Sequence, residues 1–264
     1  AAPIDLGEMI LKALQAVQGK LLPEAIRILA FGISFPSVVD LHKQAEELRS
    51  IAPLQFLIPK ATLNKMGKVT TRQNSATSED DDAIRSQMLE IAAELQSFNA
   101  QRFIHPARLQ IHREHCIRID DLLPFLFNNP FIPEGRERIF AQGLHAGFLG
   151  DYLTAVHLLI PQLENSIRFV LFREGAIVSG LDSDGIQEEH DLNRLLYAPE
   201  SKKIFGEDIV FELQGLLIER SGTNLRNLLA HGLLDFDEFW SPRICYAWWL
   251  ALRLCLSITY RRNE

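Results

Sequence analysis

One apolar run near the end of the chain constrains the fold most. Between Ile244 and Tyr260 nearly every residue is apolar, and Ser241-Pro242 ahead of it reads as an N-cap followed by proline at the first helical position. The spacing predicts one helix from 242 to 262. A helix that is apolar on all sides must be surrounded, either by lipid or by other helices. Arg253 interrupts the run and Arg261-Arg262 end it, whereas a membrane-spanning helix needs roughly 20 mainly apolar residues without a central charge. The run therefore reads as the buried helix of a bundle, and no membrane is expected as a partner.

Helical periodicity and capping signals fill most of the remaining chain, and no stretch alternates apolar and polar residues for long enough to predict a sheet. The expected class is all-α. Amphipathic helices are predicted over 6–17, 23–31 and 37–49, then 83–98, 106–116, 120–127 and 133–147, followed by a long helix over 151–174 and shorter ones over 190–197, 207–220 and 224–231. Residues 61–82 are polar and end in the acidic run Glu79-Asp80-Asp81-Asp82, which reads as the solvated start of the next helix. The chain thus divides into an N-terminal helical region (1–60), a flexible linker or long loop (61–82), connecting helices (83–130) and a helical domain (131–264). In that last domain Leu158, Ile160, Phe169 and Val170 are expected to pack against Trp248, Trp249, Leu252 and Leu256.

The 264 residues are enough to bury a proper core, and 47% apolar with 23% charged residues is an ordinary globular composition. A net charge of -7 excludes broad electrostatic attraction to nucleic acid, so any RNA contact must be local. Cys116, Cys245 and Cys255 are too few and too scattered for a disulfide framework or a zinc knuckle, which favours a reducing, cytoplasmic setting. No basic-then-apolar leader is seen, and Ala1-Ala-Pro3 reads as a processed boundary that has lost an upstream region.

Chemistry concentrates in Thr223-Asn-Leu-Arg226-Asn227-Leu-Leu-Ala-His231-Gly232. Thr223 or Asn224 suits an N-cap and Gly232 suits the C′ position, so the helix is short. Arg226 and Asn227 then fall in its first turn, and Asn227 and His231, four residues apart, share a face. An imidazole titrates near neutrality and can move a proton, a guanidinium can hold non-bridging phosphate oxygens, and an amide can position a phosphate or a hydroxyl. The same residues also fit a structural role, with His231 on the helix's last carbonyls and Arg226 paired to a carboxylate. Glu164 and Arg168 are an i,i+4 pair, worth only about 0.3–0.5 kcal/mol if exposed.

His112, Glu114 and His115 suggest a metal, but the spacing is wrong for two ligands on one helix face and no third ligand is near. His145 and His157 lie among apolar residues and read as core or surface histidines. No P-loop, dinucleotide-binding glycine pattern or nucleophile elbow occurs, so no cofactor is expected.

The R-N-x-x-x-H-G string resembles the R-x(4–6)-H signature of the HEPN superfamily, and in particular an R-N-x-x-x-H-G family of unknown function within or beside it. Pro133-Glu-Gly-Arg136-Glu137, Gly143-Leu-His145-Ala-Gly147-Phe-Leu-Gly150-Asp151 and Ala155-Val-His157-Leu-Leu-Ile-Pro161-Gln-Leu-Glu164-Asn165-Ser-Ile-Arg168 look like the front half of that family. The resemblance covers 130–262. It implies a four-helix bundle and a metal-independent endoribonuclease, with Arg226, Asn227 and His231 as catalytic residues at a homodimer seam. It also implies that Glu164 orients Arg226 or His231, with Asn165 and Arg168 as further binding candidates. An apolar face around Trp240, Trp248 and Trp249 is compatible with a dimer seam. Some HEPN domains are non-catalytic modules that bind RNA, a nucleotide or a protein, and that reading stays open. The N-terminal half carries no recognised motif and is left for a protein partner.

Overall fold

A computed structural model of the chain describes residues 6–52, 60–63, 69–73, 81–181 and 184–261. The architecture is all-α and is arranged around the helix that the apolar run predicts. Three helices open it: α1 (Leu6–Val17), α2 (Leu22–Phe31) and α3 (Val38–Ile51). Proline in the first turn of α2 fits the missing N–H there, and the Ser37 hydroxyl caps α3 by accepting from the Asp40 N–H.

Strands β1 (Lys60–Leu63) and β2 (Val69–Gln73) pair antiparallel, with a register shift between Thr62 and Leu63. The segment expected as a flexible linker or long loop therefore carries a hairpin, too short and too polar to stand out as an alternating pattern. Glu79 and Asp80 lie outside the described residues, while Asp81 and Asp82 form the exposed first turn of α4 (Asp81–Asn99) as the acidic run predicts.

The helices expected over 83–98 and 106–116 are one continuous rod. Between α4 and α5 (His105–Glu114) lies a π-turn at Ala100–Ile104, closed by the His105 N–H donating to the Ala100 carbonyl. Pro106 explains it, because a proline lacks the N–H of a regular turn and its ring crowds the carbonyl four residues back. Helix α6 (Ile119–Leu122) then runs into a 3-10 turn at Leu123–Phe125.

Next come α7 (Glu137–Leu149) and α8 (Tyr152–Arg173), joined by Gly150 in the left-handed conformation and capped by Asp151, whose carboxylate accepts from the Thr154 N–H. The helix expected from 133 begins only at Glu137, because Pro133 to Arg136 close a turn around Gly135 at φ 81°. Gly143 and Gly147 bring α7 close to its neighbours: a Cβ at Gly143 would lie 2.7 Å from Leu159, and one at Gly147 would lie 2.1 Å from the Trp248 ring.

A second antiparallel hairpin, β3 (Ser179–Leu181) with β4 (Gln187–Glu189), precedes α9 (Leu192–Tyr197), α10 (Pro199–Phe205) and α11 (Glu207–Leu217). Helix α10 was not anticipated, although Pro199 at its start and Gly206 at its end mark it. After it come α12 (Leu225–Ala230), a 3-10 turn at Phe236–Trp240 and the final helix α13 (Pro242–Arg261).

Helix α13 is covered on every side, by α2, α4, the π-turn, α7 and α8. From Ile244 to Leu256 each residue except Arg253 is buried. Each large apolar side chain there contributes roughly 1.5–3 kcal/mol by leaving water. Its indoles are also hydrogen-bonded, Trp248 Nε1 donating to the Leu144 carbonyl at 3.0 Å and Trp249 Nε1 to the Leu29 carbonyl at 2.7 Å. Both rings are fully buried, as the expected core of the bundle requires, and of the apolar face suggested around the three tryptophans only Trp240 is exposed.

Of the apolar set expected on α8, Ile160 and Val170 are buried whereas Leu158 and Phe169 are half-buried. One buried cluster runs from Val17 to Leu256 and draws side chains from both ends of the chain. A smaller one joins Leu41 and Ala45 of α3 to Ile84, Met88, Ile91 and Phe211. No helix among the described residues is long and apolar enough to cross a membrane.

Candidate functional site

The motif helix α12 is placed by the loop that leads into it. Helix α11, expected to reach 220, ends at Leu217, and the chain folds back so that the Thr223 N–H donates to the Gly215 carbonyl at 2.9 Å. Gly222 makes this approach possible, since a Cβ there would lie 2.1 Å from the Gly215 carbonyl oxygen. Two contacts to α4 pin the loop: Arg85 Nη2 donates to Glu219 at 3.3 Å, and the Ser86 and Ser221 hydroxyls meet at 3.2 Å. Leu225, fully buried, anchors the helix itself.

The N-terminus of α12 differs from expectation. Asn224 does occupy the N-cap position, but at φ 53° it is left-handed and its side chain caps no backbone N–H. Instead its Oδ1 accepts from Asn227 Nδ2 at 2.6 Å. Thr223 is buried, with no acceptor or donor for its hydroxyl among the described residues. The C-terminus follows expectation: Gly232 at φ 61° is C′, its N–H donates to the Leu229 carbonyl and the Leu233 N–H to the Leu228 carbonyl. That double bond is a Schellman ending, which glycine permits without steric cost.

Four of the six candidate residues come together in one chain of polar contacts. Glu164, on the inner side of α8, receives Arg226 Nε on one carboxylate oxygen at 3.2 Å and Arg168 Nη2 on the other at 3.3 Å. Arg226 Nη1 donates in turn to Asn227 Oδ1 at 3.3 Å. The pairing is partly shielded, with Glu164 and Arg168 side chains 17% and 19% exposed, while Arg226 at 31% opens toward solvent. Its Nη2 has no protein acceptor among the described residues.

Arg168 faces the other way as well, donating Nη2 to the His190 carbonyl at 3.0 Å and meeting Glu189 at 3.3 Å. The hairpin β3–β4 is thereby tied to α8. Asn165 and His231 stand outside the network. Asn165 is half-buried with no hydrogen bond among the described residues, and the exposed His231 ring likewise bonds to none of them, although its backbone N–H closes the helix on the Asn227 carbonyl.

Asn224, Glu189 and His190 belong to this constellation but were not singled out for it. An asparagine three residues before Asn227 was a readable signal, since i,i+3 side chains meet on a helix. Glu189 and His190 arrive through the hairpin, and nothing in their local sequence announces it.

Four of the other singled-out residues hold backbone. Glu114 accepts from the Gly19 N–H at 2.9 Å and His115 Nε2 meets the Lys20 carbonyl at 3.1 Å, closing the end of α5 on the turn between α1 and α2. His145 Nε2 meets the Ile117 carbonyl, and His157 bonds to the Leu153 carbonyl while stacking on Phe239 at 5.4 Å. No three His, Cys, Asp or Glu side chains are grouped to hold a metal among the described residues.

One titratable group was missed altogether. Glu212 on α11 is buried, burial pushes its carboxyl up to about 7, and Gln96 Nε2 donates to it at 2.8 Å. No protein-family model, curated protein or solved structure matches the chain.

Proposed function

We propose that the chain is a metal-independent endoribonuclease of HEPN type. The observation that carries the reading is the seating of Arg226: Glu164 holds its Nε and Asn227 its Nη1, while Nη2 has no protein acceptor among the described residues and His231, one helical turn on, is exposed. A guanidinium fixed in this way loses little side-chain freedom on taking a phosphate, so its interaction goes into charge stabilisation. In the reaction the RNA 2′-hydroxyl attacks the adjacent phosphorus, the 5′-oxygen leaves, and the products are a 2′,3′-cyclic phosphate and a 5′-hydroxyl.

Arg226 holds the non-bridging oxygens and Asn227 the phosphate or attacking hydroxyl. His231 takes the hydroxyl proton or supplies one to the leaving oxygen. Glu164 is a positioning residue, and Arg168 keeps it in place from the other side. A homodimer would set two copies of Arg226 and His231 across one cleft, and Leu233, Phe236 and Trp240, all exposed just after the motif, offer an apolar face for it.

The test is incubation of the protein with single-stranded and structured RNAs in EDTA, beside folded Arg226→Ala and His231→Ala variants. Cleavage leaving cyclic-phosphate ends, reduced at least 100-fold in both variants, is the expected outcome for loss of a proton-transfer or charge-stabilising group, each worth about 10²–10³ in rate. Cleavage that survives in both variants, or none by the wild type, overturns it. One observation favours a second reading, a non-catalytic module that binds RNA, a nucleotide or a protein: Glu164 already neutralises Arg226, and the His231 ring bonds to neither Arg226 nor Asn227. Wild-type RNA binding without cleavage, weakened in Arg226→Ala, would select that reading.

A further inference from the structure

A second polar feature lies away from the motif. A cavity of about 880 Å³ opens between the turn after α2, the junction of α10 and α11, and the last turns of α13. Its size falls within the range of small-molecule sites. Phe31, Phe35, Pro130, Ile204 and Leu254 give it apolar walls, and Arg253 borders it. None of the residues placed in the ribonuclease reading lines it.

Arg253 is the charge that interrupts the long apolar run, and its surroundings are unusual for an arginine. Its Nη1 donates to the carbonyls of Ala30 and Ile33. Its guanidinium lies over the Phe35 ring at 4.1 Å and near the Trp249 ring at 5.3 Å. No carboxylate among the described residues lies within ion-pair distance of it, its Nε is buried without an acceptor, and the one nearby acid that it feels, Glu212, is buried and held toward its neutral form. A half-buried cation held by carbonyls and ring faces but lacking a counter-ion is stabilised by an anion from the open side.

The start of α11 borders the same cavity. Gly206 gives it no side-chain cap, and Asp208, which lies in its first turn, accepts instead from the Val38 N–H at 2.8 Å. On the rim, Glu207 is engaged by Lys202 at 2.7 Å, which leaves Arg173, Lys203 and Arg253 against Glu174 and Asp208, one positive charge in excess. Charge and shape together call for a ligand with one anionic end and an apolar body.

We propose that this cavity binds a small organic acid, an apolar body bearing one carboxylate or phosphate, with the anionic group on Arg253. Thermal denaturation of the full chain tests it with decanoate, octyl phosphate, the neutral decanol and inorganic phosphate, each below any micelle concentration. Decanoate or octyl phosphate at ten times its Kd is expected to raise Tm by about 4 °C. The tighter of the two identifies the anionic group. Decanol and inorganic phosphate are expected to leave Tm within 1 °C or so of the apo value.

Arg253→Met should abolish the shift. Because that variant also loses the bonds to Ala30 and Ile33 and can fail to fold, Ile204→Asp, which leaves Arg253 in place and sets a negative charge on the apolar wall, provides the second arm and should reduce the shift to less than half. No shift with either anionic amphiphile overturns the proposal. So does a shift unchanged in Ile204→Asp, or one matched by decanol or inorganic phosphate.

Discussion

Glu212 is 1% exposed, and burial makes its charged form the costly one, outweighing Tyr246, Gln96 and Arg253, which act the other way, while Asp208 adds to the rise. Its carboxyl rises from an ordinary 4.5 to about 7 on folding. An acid raised in this way keeps its proton in the folded state when the unfolded chain has lost it. The contribution is therefore fully present below the unfolded value and is lost as pH climbs through the folded one. Wild type is expected to lose about 3 kcal/mol of stability between pH 5 and pH 8 from this group, at 1.36 kcal/mol per unit. Glu212→Gln, which cannot ionise, should flatten that slope in urea denaturation, and parallel slopes for the two proteins would disprove the assignment. A sequence shows that a glutamate exists but not that α4 and α13 close over it. Arg226, Asn227 and Glu164 were legible as partners only because a resemblance linked positions 62 residues apart in the contact that joins them.

Elements were easier to read than contacts where their signals are local. Ser37, Asp151 and Asp191 cap helices that begin within a few residues of where their caps place them. Gly232 ends the motif helix as predicted because the left-handed conformation favours glycine. The misses have physical causes too: the two hairpins have strands of only three to five residues, and the rod from 81 to 114 runs through a proline that normally marks a break. Helix α7 depends on a glycine for a different reason. Gly147→Ala would press a methyl group onto the buried, hydrogen-bonded Trp248 ring, which has no room to yield. The expected cost is about 3 kcal/mol, and Tm falls by on the order of 10 °C despite alanine's better helix propensity. An unchanged or higher melting temperature would show that the α7–α13 contact is looser than described.

At the scale of the whole molecule, the N-terminal helices cover the C-terminal one. Trp249 donates to Leu29 across 220 residues, Arg253 reaches Ala30 and Ile33, and Phe35 meets the Trp249 ring at 5.9 Å. A fragment of residues 131–264 is therefore expected to keep helical circular dichroism but to lose its cooperative melting transition. A sharp thermal transition in that fragment would show that the motif-bearing half folds alone. Amphipathic periodicity shows that each of α1 and α2 has a buried face, but it does not say which partner covers that face. The boundaries drawn from sequence marked changes in composition, and the shared buried cluster follows long-range packing that composition does not encode.

The central position of α13 also has a consequence for biosynthesis. The helix that α2, α4, the π-turn, α7 and α8 pack around is the last described element to leave the ribosome. At about 5–20 residues per second, the 220 residues between Leu29 and Trp249 take roughly 10–45 s to synthesise. Until then the face of α2 that meets α13, joined later by those of α4, α7 and α8, stays uncovered and open to nascent-chain chaperones and to wrong partners. Completion of the core therefore waits for the synthesis of α13, and a stall before residue 242 would leave the helices that meet it without that partner.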